Sequence, residues 1–241
     1  MRKEALDFPK SVLIETCNRC QGECKFCPYQ EIRINEKTTY LDFDRYKKLI
    51  DEMTHHPVKR LSLFENNEPL IDKRIYEFVD YAHNKLPNVE LTLSTNGRLL
   101  TREVIDKLYL SGLTTLYVSI PSVDNEHYKE VMGNDISNIV LLLTSIDDDK
   151  LIKMIRIAVP KTKYFDINEF EKVFSKYLIC AWDVEYKKSW NIDKKIYGIA
   201  DIGYTGPCDR PLDQMIIKSN GDVSICCRDW QQQNIVGNIY I

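Results

Sequence analysis

The sequence alternates short apolar runs with amphipathic helical patterns, and this alternation limits the possible folds more than any other feature. The apolar runs predicted as strands are residues 12–16, 58–64, 88–95, 113–120, 150–159 and 179–186. Near-continuous apolar strands are typical of parallel sheets that are covered by helices. A closed eightfold barrel requires about 250 residues, and only about 55 of the 241 residues follow residue 186. The sequence therefore predicts an α/β fold, a partial (β/α)6 TIM-like barrel that is open on one side.

Several helix ends are marked by capping residues. Asp42 precedes an apolar helical stripe and is a predicted N-cap. Thr101 is expected to open a helix that Gly112 ends, and Asp166 with Glu169 forms a capping-box pattern. Helices between successive strands place the carboxyl ends of all the strands at one edge. In folds of this kind the reactive groups lie at that edge.

Composition and charge exclude several classes of protein. The chain has 36 acidic and 33 basic residues, a net charge of −3, and no basic stripe, so nucleic acid is not expected as a partner. Residues 1–10 lack the apolar core of a secretory signal, and no run approaches eighteen apolar residues, so no membrane association is expected. Eight cysteines in such a chain indicate metal or redox use in a reducing cytoplasm.

Three cysteines stand close together directly after the first predicted strand. Cys20, Cys24 and Cys27 follow the spacing C-x3-C-x2-C. Thiolates suit zinc, copper(I) or iron–sulfur clusters. A four-iron cluster ordinarily takes four cysteine ligands. A group of three therefore leaves one metal position open for a ligand that is not protein, and an open position favours catalysis.

Cys17 introduces an alternative. Cys17 with Cys20, and Cys24 with Cys27, form two C-x2-C pairs that together resemble a four-thiolate zinc site. The simpler interpretation is that Cys17 is a half-buried residue at the end of a strand. The distinction matters because a fourth cysteine ligand would close the open metal position.

The run from Ile14 to Pro28, with its three cysteines, resembles the cluster loop of the radical S-adenosylmethionine (SAM) superfamily. The resemblance implies that Cys20, Cys24 and Cys27 are catalytic and hold a [4Fe–4S] cluster, with SAM on the fourth iron. In that family one electron cleaves SAM to methionine and a 5′-deoxyadenosyl radical, which abstracts hydrogen from the substrate. An electron donor such as flavodoxin or ferredoxin is then expected as a partner.

The turn after the second predicted strand, Glu65-Asn66-Asn67-Glu68-Pro69, is similar to the G-G-E-P segment with which the family binds SAM. Here asparagines replace both glycines, and the glutamate is retained. A plain strand-to-helix turn is the alternative. By the resemblance, the residues expected to contact SAM are Phe26 and Tyr29 beside the adenine, together with Asn67, Glu68, Thr95, Asn96, Ser119 and Arg156. For Arg156, an ion pair with a barrel glutamate remains an equal alternative.

The C-terminal part contains a second group of cysteines. Asn220-Gly221 between two β-type runs predicts a hairpin, with Cys208, Cys226 and Cys227 at its base. This part resembles the auxiliary-cluster region of SPASM and twitch radical SAM proteins. The resemblance implies a second iron–sulfur cluster on Cys208 and Cys226, with Cys227 beside them. The later C-x2-C pair of that region is missing, so the site is incomplete, Cys227 substitutes, the chain is shortened, or the hairpin binds no cluster.

These observations predict two regions, the partial barrel over 1–188 and a linker with a truncated auxiliary iron–sulfur region over 189–241. The expected function is a radical SAM enzyme of the SPASM/twitch type that modifies or matures a peptide or protein. Dehydrogenation of a small molecule such as a sugar or cyclitol is the alternative. A zinc-binding or degenerate scaffold protein is the non-enzymatic alternative. With about ten residues before the first strand, no N-terminal peptide-recognition domain is expected.

Overall fold

The computed structural model describes residues 6–27, 29–32, 35–183, 210–227, 229 and 232–241. Over this part of the chain, nine strands form one sheet in the order β6-β5-β4-β3-β2-β1-β7-β8-β9. The strands are β1 Ser11–Ile14, β2 Arg60–Ser62, β3 Glu90–Thr95, β4 Thr115–Ser119, β5 Ile155–Lys161, β6 Leu178–Asp183, β7 Gln214–Ile217, β8 Asp222–Ser224 and β9 Ile235–Asn238.

Helices connect the parallel strands, as the alternation predicts. They are α1 Tyr29–Ile32, α2 Phe43–Met53, α3 Ile75–Lys85, α4 Arg102–Leu110, α5 Asn125–Met132, α6 Ser137–Ser145, α7 Asp149–Met154, α8 Ile167–Phe174 and α9 Arg210–Asp213, with a 3-10 helix at Pro69–Ile71. None of the helices in the described residues is both long and apolar enough to cross a membrane.

The first six strands are parallel and follow one another in chain order across the sheet. Their inward side chains, such as Val12, Leu61, Leu93 and Ile157, are fully buried in the core beneath the helices. The sheet is open and does not close into a barrel. This confirms the predicted α/β fold with an open side, and it gives all six strands one shared carboxyl edge.

Side-chain caps fix the predicted helix starts, and one of them corrects a strand boundary. Asp42, Thr101 and Asp166 each accept a hydrogen bond from a backbone N–H of the first turn of α2, α4 and α8. The prediction of a strand over 150–159 is wrong in its first half. Asp148 caps a further helix, α7, by accepting from Lys150 N, and the strand begins only after that helix ends.

The C-terminal strands continue the sheet beside the first strand. β7 pairs with β1 in parallel over four residues, and β8 returns antiparallel to it after the Asn220-Gly221 turn. Gly221 has φ +87, which the predicted hairpin turn requires of this residue. β1 therefore lies between β2 and β7. The predicted linker, and the boundary at residues 188 and 189, lie outside the described residues.

Candidate active site

The cysteine loop leaves the carboxyl end of β1 and is held there by its own polar groups. Tyr29 in α1 donates from its hydroxyl to the carbonyl oxygen of Asn18 at 3.1 Å. Gln30 Nε2 donates to the carbonyl of Gly22 at 2.7 Å, and Lys25 N donates to the carbonyl of Val131 at the end of α5 at 2.9 Å. Short bonds at several points fix a loop that has no regular structure of its own.

Two thiols of the loop, those of Cys20 and Cys24, lie close to Gly22. A Cβ atom at this position would lie 3.3 Å from Cys20 Sγ and 3.4 Å from Cys24 Sγ, and Gly22 N donates to Cys20 Sγ at 3.3 Å. Any side chain at position 22 would therefore crowd the space between these sulfurs. The space that the glycine leaves between these two thiols fits a metal–sulfide cluster held on one side by protein.

The loop thiols also raise one another's pKa. Burial raises the pKa of Cys24 to about 12, and the neighbouring Cys20 thiol adds to the increase. Burial raises the pKa of Cys27 further, with contributions from Cys24 and Cys20. Thiols this close and this poorly solvated become thiolates only with a compensating positive charge. A cluster iron supplies such a charge, so the donor set fits the group that the sequence predicts.

Cys17 is separate from this group. Its side chain is fully buried rather than half-buried as predicted, and Asn67 Nδ2 lies 3.9 Å from its sulfur. Burial is the main reason for its raised pKa, and the charges that act on it are those of Asp72 and Glu15, not of the loop thiols. Across the described ranges, no three His, Cys, Asp or Glu side chains are grouped to hold a single metal ion. The four-thiolate zinc alternative therefore gains no support.

Glu68 is buried at the turn after β2 and is surrounded by donors. It accepts from Thr95 Oγ1 at 2.9 Å, from Leu70 N at 3.1 Å and from Asn96 N at 2.8 Å. The backbone N–H of Glu68 donates to the carbonyl oxygen of Arg19, at the start of the cysteine loop, at 2.8 Å. Burial outweighs these bonds and raises the pKa of Glu68 to about 7. A carboxylate with this pKa is poised to become fully anionic when a cation binds beside it.

Asn96 connects the turn that contains Glu68 to the cysteine loop. Its backbone N–H donates to Glu68, and its side-chain Nδ2 lies 3.8 Å from Cys20 Sγ as a donor to the sulfur. The triplet Thr95-Asn96-Gly97 (T-N-G) at the end of β3 therefore joins two elements that the sequence singled out independently. Ser119, the last residue of β4, lies at the same carboxyl edge and is half-buried.

Arg98 is a part of this site that the sequence did not reveal. Its guanidinium donates to the carbonyl of Gln21 in the cysteine loop at 3.0 Å, to the carbonyl of Met132 at 2.6 Å and to Asn134 Oδ1 at 3.0 Å. Its positive charge also opposes the increase in the pKa of Cys20 and Cys24. The only available signal was its position directly after the T-N-G triplet.

We expect Arg98→Met to loosen the cysteine loop. Three donors are lost, and a bond to a charged group contributes roughly 1.5–3 kcal/mol, so the melting temperature and the iron content after anaerobic reconstitution should both fall. Arg102→Met, which removes an exposed arginine paired with Asp106 on α4, is the matched control. Iron loading and melting that match those of the control would contradict this role for Arg98.

Two residues predicted to contact SAM have other surroundings in the structure. Arg156 lies near the amino end of β5, away from the carboxyl edge, and donates to the carbonyls of Lys153 and Ile155. Both bonds are donated by Nη1, and the position of Arg156 away from the carboxyl edge argues against the predicted contact with SAM. Tyr29 is buried and supports the loop through its hydroxyl. Phe26 is half-buried against the core.

Two of the three C-terminal cysteines, Cys226 and Cys227, lie at the base of the hairpin, as predicted. Cys226 and Cys227 follow β8, and Arg210 Nη1 is 3.7 Å from Cys227 Sγ as a donor. Both cysteines are half-buried. Cys208, the third predicted ligand, lies outside the described residues. Cys180 in β6 is half-buried.

Comparison with protein families agrees with this site. The family model of the radical SAM superfamily matches residues 14–158, more than half of the 241 residues, and the chain belongs to this superfamily. A second model, SPASM, an iron–sulfur cluster-binding domain, matches residues 208–240. The resemblance drawn from the cysteine motifs is therefore confirmed. Members of the superfamily are iron–sulfur enzymes that bind a [4Fe–4S] cluster and SAM.

Individual proteins show how far the similarity extends. The GTP 3′,8-cyclase of Staphylococcus carnosus is 24% identical over 225 residues, covering 78% of this chain and 65% of the relative. The structure of Streptococcus suis SuiB bound to the precursor peptide SuiA has a TM-score of 0.79 at 18% identity and covers 98% of this chain and 63% of SuiB. The structure of BtrN in complex with AdoMet and 2-DOIA has a TM-score of 0.67 at 18% identity and covers 100% of this chain and 80% of BtrN. The structural likenesses show the fold, and the chain spans less than two thirds of the first curated relatives that it matches.

Proposed function

We propose that this protein cleaves SAM reductively and uses the resulting radical to abstract hydrogen from a peptide or protein substrate. The observation that carries the proposal is the close approach of the Cys20 and Cys24 thiols at Gly22, with the charges of both acting on buried Cys27 and with Glu68 tied to the same loop through Asn96. Cys20, Cys24 and Cys27 would hold the [4Fe–4S] cluster. When bound, that cluster supplies one electron and an iron position for SAM.

The residues around the loop have separable tasks in this proposal. Glu68 offers a buried carboxylate to the positively charged amino group of SAM, and Thr95 and Asn96 orient that carboxylate. The Asn96 side-chain amide donates toward the sulfur of Cys20, which stabilises negative charge there. Asn67, Phe26 and Ser119 complete the proposed contacts with SAM along the same edge. The protein would orient the ribose 5′ carbon and exclude water from the radical.

For the substrate we rank a peptide or protein first. The fold of SuiB, whose structure contains its precursor peptide, covers nearly the whole of this chain at the higher TM-score of the two structures compared. An open sheet also admits a larger substrate than a closed barrel would. Dehydrogenation of a sugar- or cyclitol-type small molecule is the second candidate, which the likeness to BtrN over the full chain favours.

The C-terminal thiols extend the proposal to a second cluster. The SPASM match covers Cys208, Cys226 and Cys227, and these residues would hold an auxiliary iron–sulfur cluster that accepts the electron left on an oxidised substrate. A flavodoxin or ferredoxin in a reducing cytoplasm would provide the electron for SAM cleavage.

The test is the release of 5′-deoxyadenosine by anaerobically reconstituted protein in the presence of SAM and reductant. Candidate peptides and candidate cyclitols are compared at equal concentrations. We expect a peptide to raise the release above the substrate-free background and to change in mass. A rise with cyclitols alone would select the second candidate, and the absence of any release would contradict SAM cleavage itself.

A further inference from the structure

Gln21, the residue between Cys20 and Gly22, has a side-chain amide that makes no hydrogen bond. Its Nε2 and Oε1 atoms are both buried, and neither has a partner among the described residues. The large majority of buried polar side-chain atoms in proteins have at least one partner. A buried group without a partner keeps the full cost of its lost hydration. An amide with both ends unsatisfied therefore requires an explanation.

The main chain that carries this amide is held in place. The carbonyl of Gln21 accepts from Arg98 Nη1 at 3.0 Å. The next carbonyl, that of Gly22, accepts from Gln30 Nε2 at 2.7 Å. The amide of Gln21 thus lacks partners although the backbone on both sides of its side chain is hydrogen-bonded.

The two other carboxamides between residues 18 and 30 help to build the loop. Asn18 donates from Nδ2 to the carbonyl of Lys37 at 2.9 Å, and its Oδ1 accepts from Thr39 N at 2.9 Å. Gln30 donates to the carbonyl of Gly22. No contact of this kind engages the side chain of Gln21, so support of the loop does not explain its amide.

Other buried polar atoms without a partner lie at the same edge of the sheet. Over the part of the chain that the structure describes, they are Thr16 Oγ1, Asn66 Nδ2, Tyr128 Oη and Gln214 Oε1. Thr16 follows β1 and Asn66 follows β2, at the carboxyl ends of these strands, whereas Gln214 begins β7 beside Ser11 at the amino end of β1. Unsatisfied groups at the carboxyl edge indicate contacts that a bound ligand completes.

The chemistry of an amide restricts what that ligand offers to Gln21. Nε2 donates, Oε1 accepts, and both lie in one plane, so the complementary ligand presents an acceptor and a donor side by side. The ammonium group of SAM only donates, and its carboxylate only accepts. The C=O and N–H of one trans peptide unit point in opposite directions. Adenine presents its N6 amino group beside a ring nitrogen, and glutamine pairs with N6 and N7 of adenine in this way.

The residues expected beside the adenine leave its polar edge without a side-chain partner. Phe26 has an apolar side chain that packs against the core. Tyr29 is 1% exposed, and its hydroxyl donates to the carbonyl of Asn18. The polar edge of the base therefore requires another residue of the loop.

We propose that Gln21 recognises the adenine of SAM, with Nε2 donating to N7 and Oε1 accepting from the N6 amino group. This inference rests on the proposed function, since it takes the site to bind SAM. Rotation about the side-chain bonds of glutamine brings the amide to the base while the backbone stays in place. Gln21 selects the base, and Glu68 binds the amino group at the other end of the ligand.

The test compares SAM with an analogue in which purine replaces adenine, so that only the N6 amino group is missing. Both affinities are measured by calorimetry on the iron-loaded full chain without oxygen. A bidentate pair discriminates between bases by roughly 5- to 150-fold, and we expect the wild type to prefer SAM within this range. Gln21→Met should lower the preference by at least about fivefold. An analogue with carbon in place of N7 tests the second bond in the same way.

Gln214→Met is the matched control. It removes another glutamine that has a buried atom without a partner, but at the amino end of the strands, and it should keep the wild-type preference. The melting temperature of the iron-free chain is a second readout. Methionine removes an unsatisfied donor and acceptor from position 21, so this temperature should stay the same or rise. A fall would overturn the inference, because the amide would then already stabilise the fold.

The outcomes separate this inference from the proposed function. A wild type that binds SAM and the purine analogue equally well, or a Gln21→Met variant that keeps the full preference, would overturn the role of Gln21 while SAM binding stands. An unchanged preference with a loss only of the peptide-stimulated release of 5′-deoxyadenosine would also overturn it, since the amide would then contact the substrate. A wild-type chain that binds neither ligand overturns the proposed function and this inference with it.

Discussion

Replacing Cys20 by alanine is expected to abolish SAM cleavage while the sheet stays folded. Cys20 accepts from Gly22 N and from the Asn96 side chain, and its sulfur lies beside Gly22 together with that of Cys24. Partners that merely orient metal ligands change affinity or activity by 10–100-fold, so losing a ligand should lower 5′-deoxyadenosine formation by more than about 100-fold. The measurement is product release under reducing, anaerobic conditions, together with iron content and melting temperature.

The matched control is Cys180→Ala. Cys180 is a half-buried thiol on β6, the strand at the far edge of the sheet from the cysteine loop. This variant should keep its iron and its activity. Cleavage that survives in Cys20→Ala, or that is lost equally in both variants, would remove the assignment of the cluster loop.

Glu68→Gln is expected to weaken SAM binding by about 10- to 100-fold, since hydrogen bonds to charged groups contribute roughly 1.5–3 kcal/mol. The substitution removes the negative charge and places an amide NH2 among the donors Thr95, Leu70 and Asn96. SAM binding is measured by calorimetry on the iron-loaded protein. Glu103→Gln, at an exposed carboxylate paired with Lys107, is the control and should bind SAM as the wild type does.

The same residue predicts two pH dependences of opposite sign. Burial raises the pKa of Glu68 from 4.5 to about 7, so between these values the folded chain holds a proton that the unfolded chain has lost. The free energy of unfolding of the SAM-free chain should therefore fall as pH rises through this window, by about 3 kcal/mol at most. SAM affinity should instead rise with pH through about 7, because the anionic form binds the amino group.

We expect the pH dependence of the free energy of unfolding and that of the SAM affinity both to flatten in Glu68→Gln. This result would distinguish Glu68 from other titrating groups. The stability profile is followed by thermal melting in buffers from pH 4.5 to 8, and affinity by calorimetry over the range in which the chain stays folded. A variant whose two profiles run parallel to those of the wild type would contradict the assignment to Glu68.

The elements of the fold were predictable where local signals are strong. Asp42, Thr101 and Asp166 cap helices because their side chains reach the first turn, a relationship contained within a few residues. The run over 150–159 was misread because a short apolar segment fits a buried helix as well as a strand. Asp148 caps the helix and so favours it over a strand in this segment, and an aspartate before a helix is a signal that the sequence contains.

The site residues that belong to a short sequence motif could be predicted from the sequence. Cys20, Cys24 and Cys27 lie within eight residues of one another, and Glu68 belongs to a turn that is similar to a known SAM-binding segment. Arg98 was missed for a different reason. Its role depends on partners far away in the chain, 77 residues in the case of Gln21, and single-sequence patterns do not report such pairings.

Arg156 shows the opposite error. A charged residue in an apolar strand suggested an anionic partner, but the guanidinium lies at the amino end of β5, where the carbonyls at the end of α7 satisfy it. Strand polarity, rather than strand burial, decides which side chains reach the functional edge.

The central claim is most directly tested by reconstituting the wild-type chain without oxygen and adding SAM with reductant. We predict a brown protein with about four iron and four sulfide per cluster that converts SAM to 5′-deoxyadenosine and methionine. A colourless protein that binds one equivalent of zinc and leaves SAM intact would contradict it.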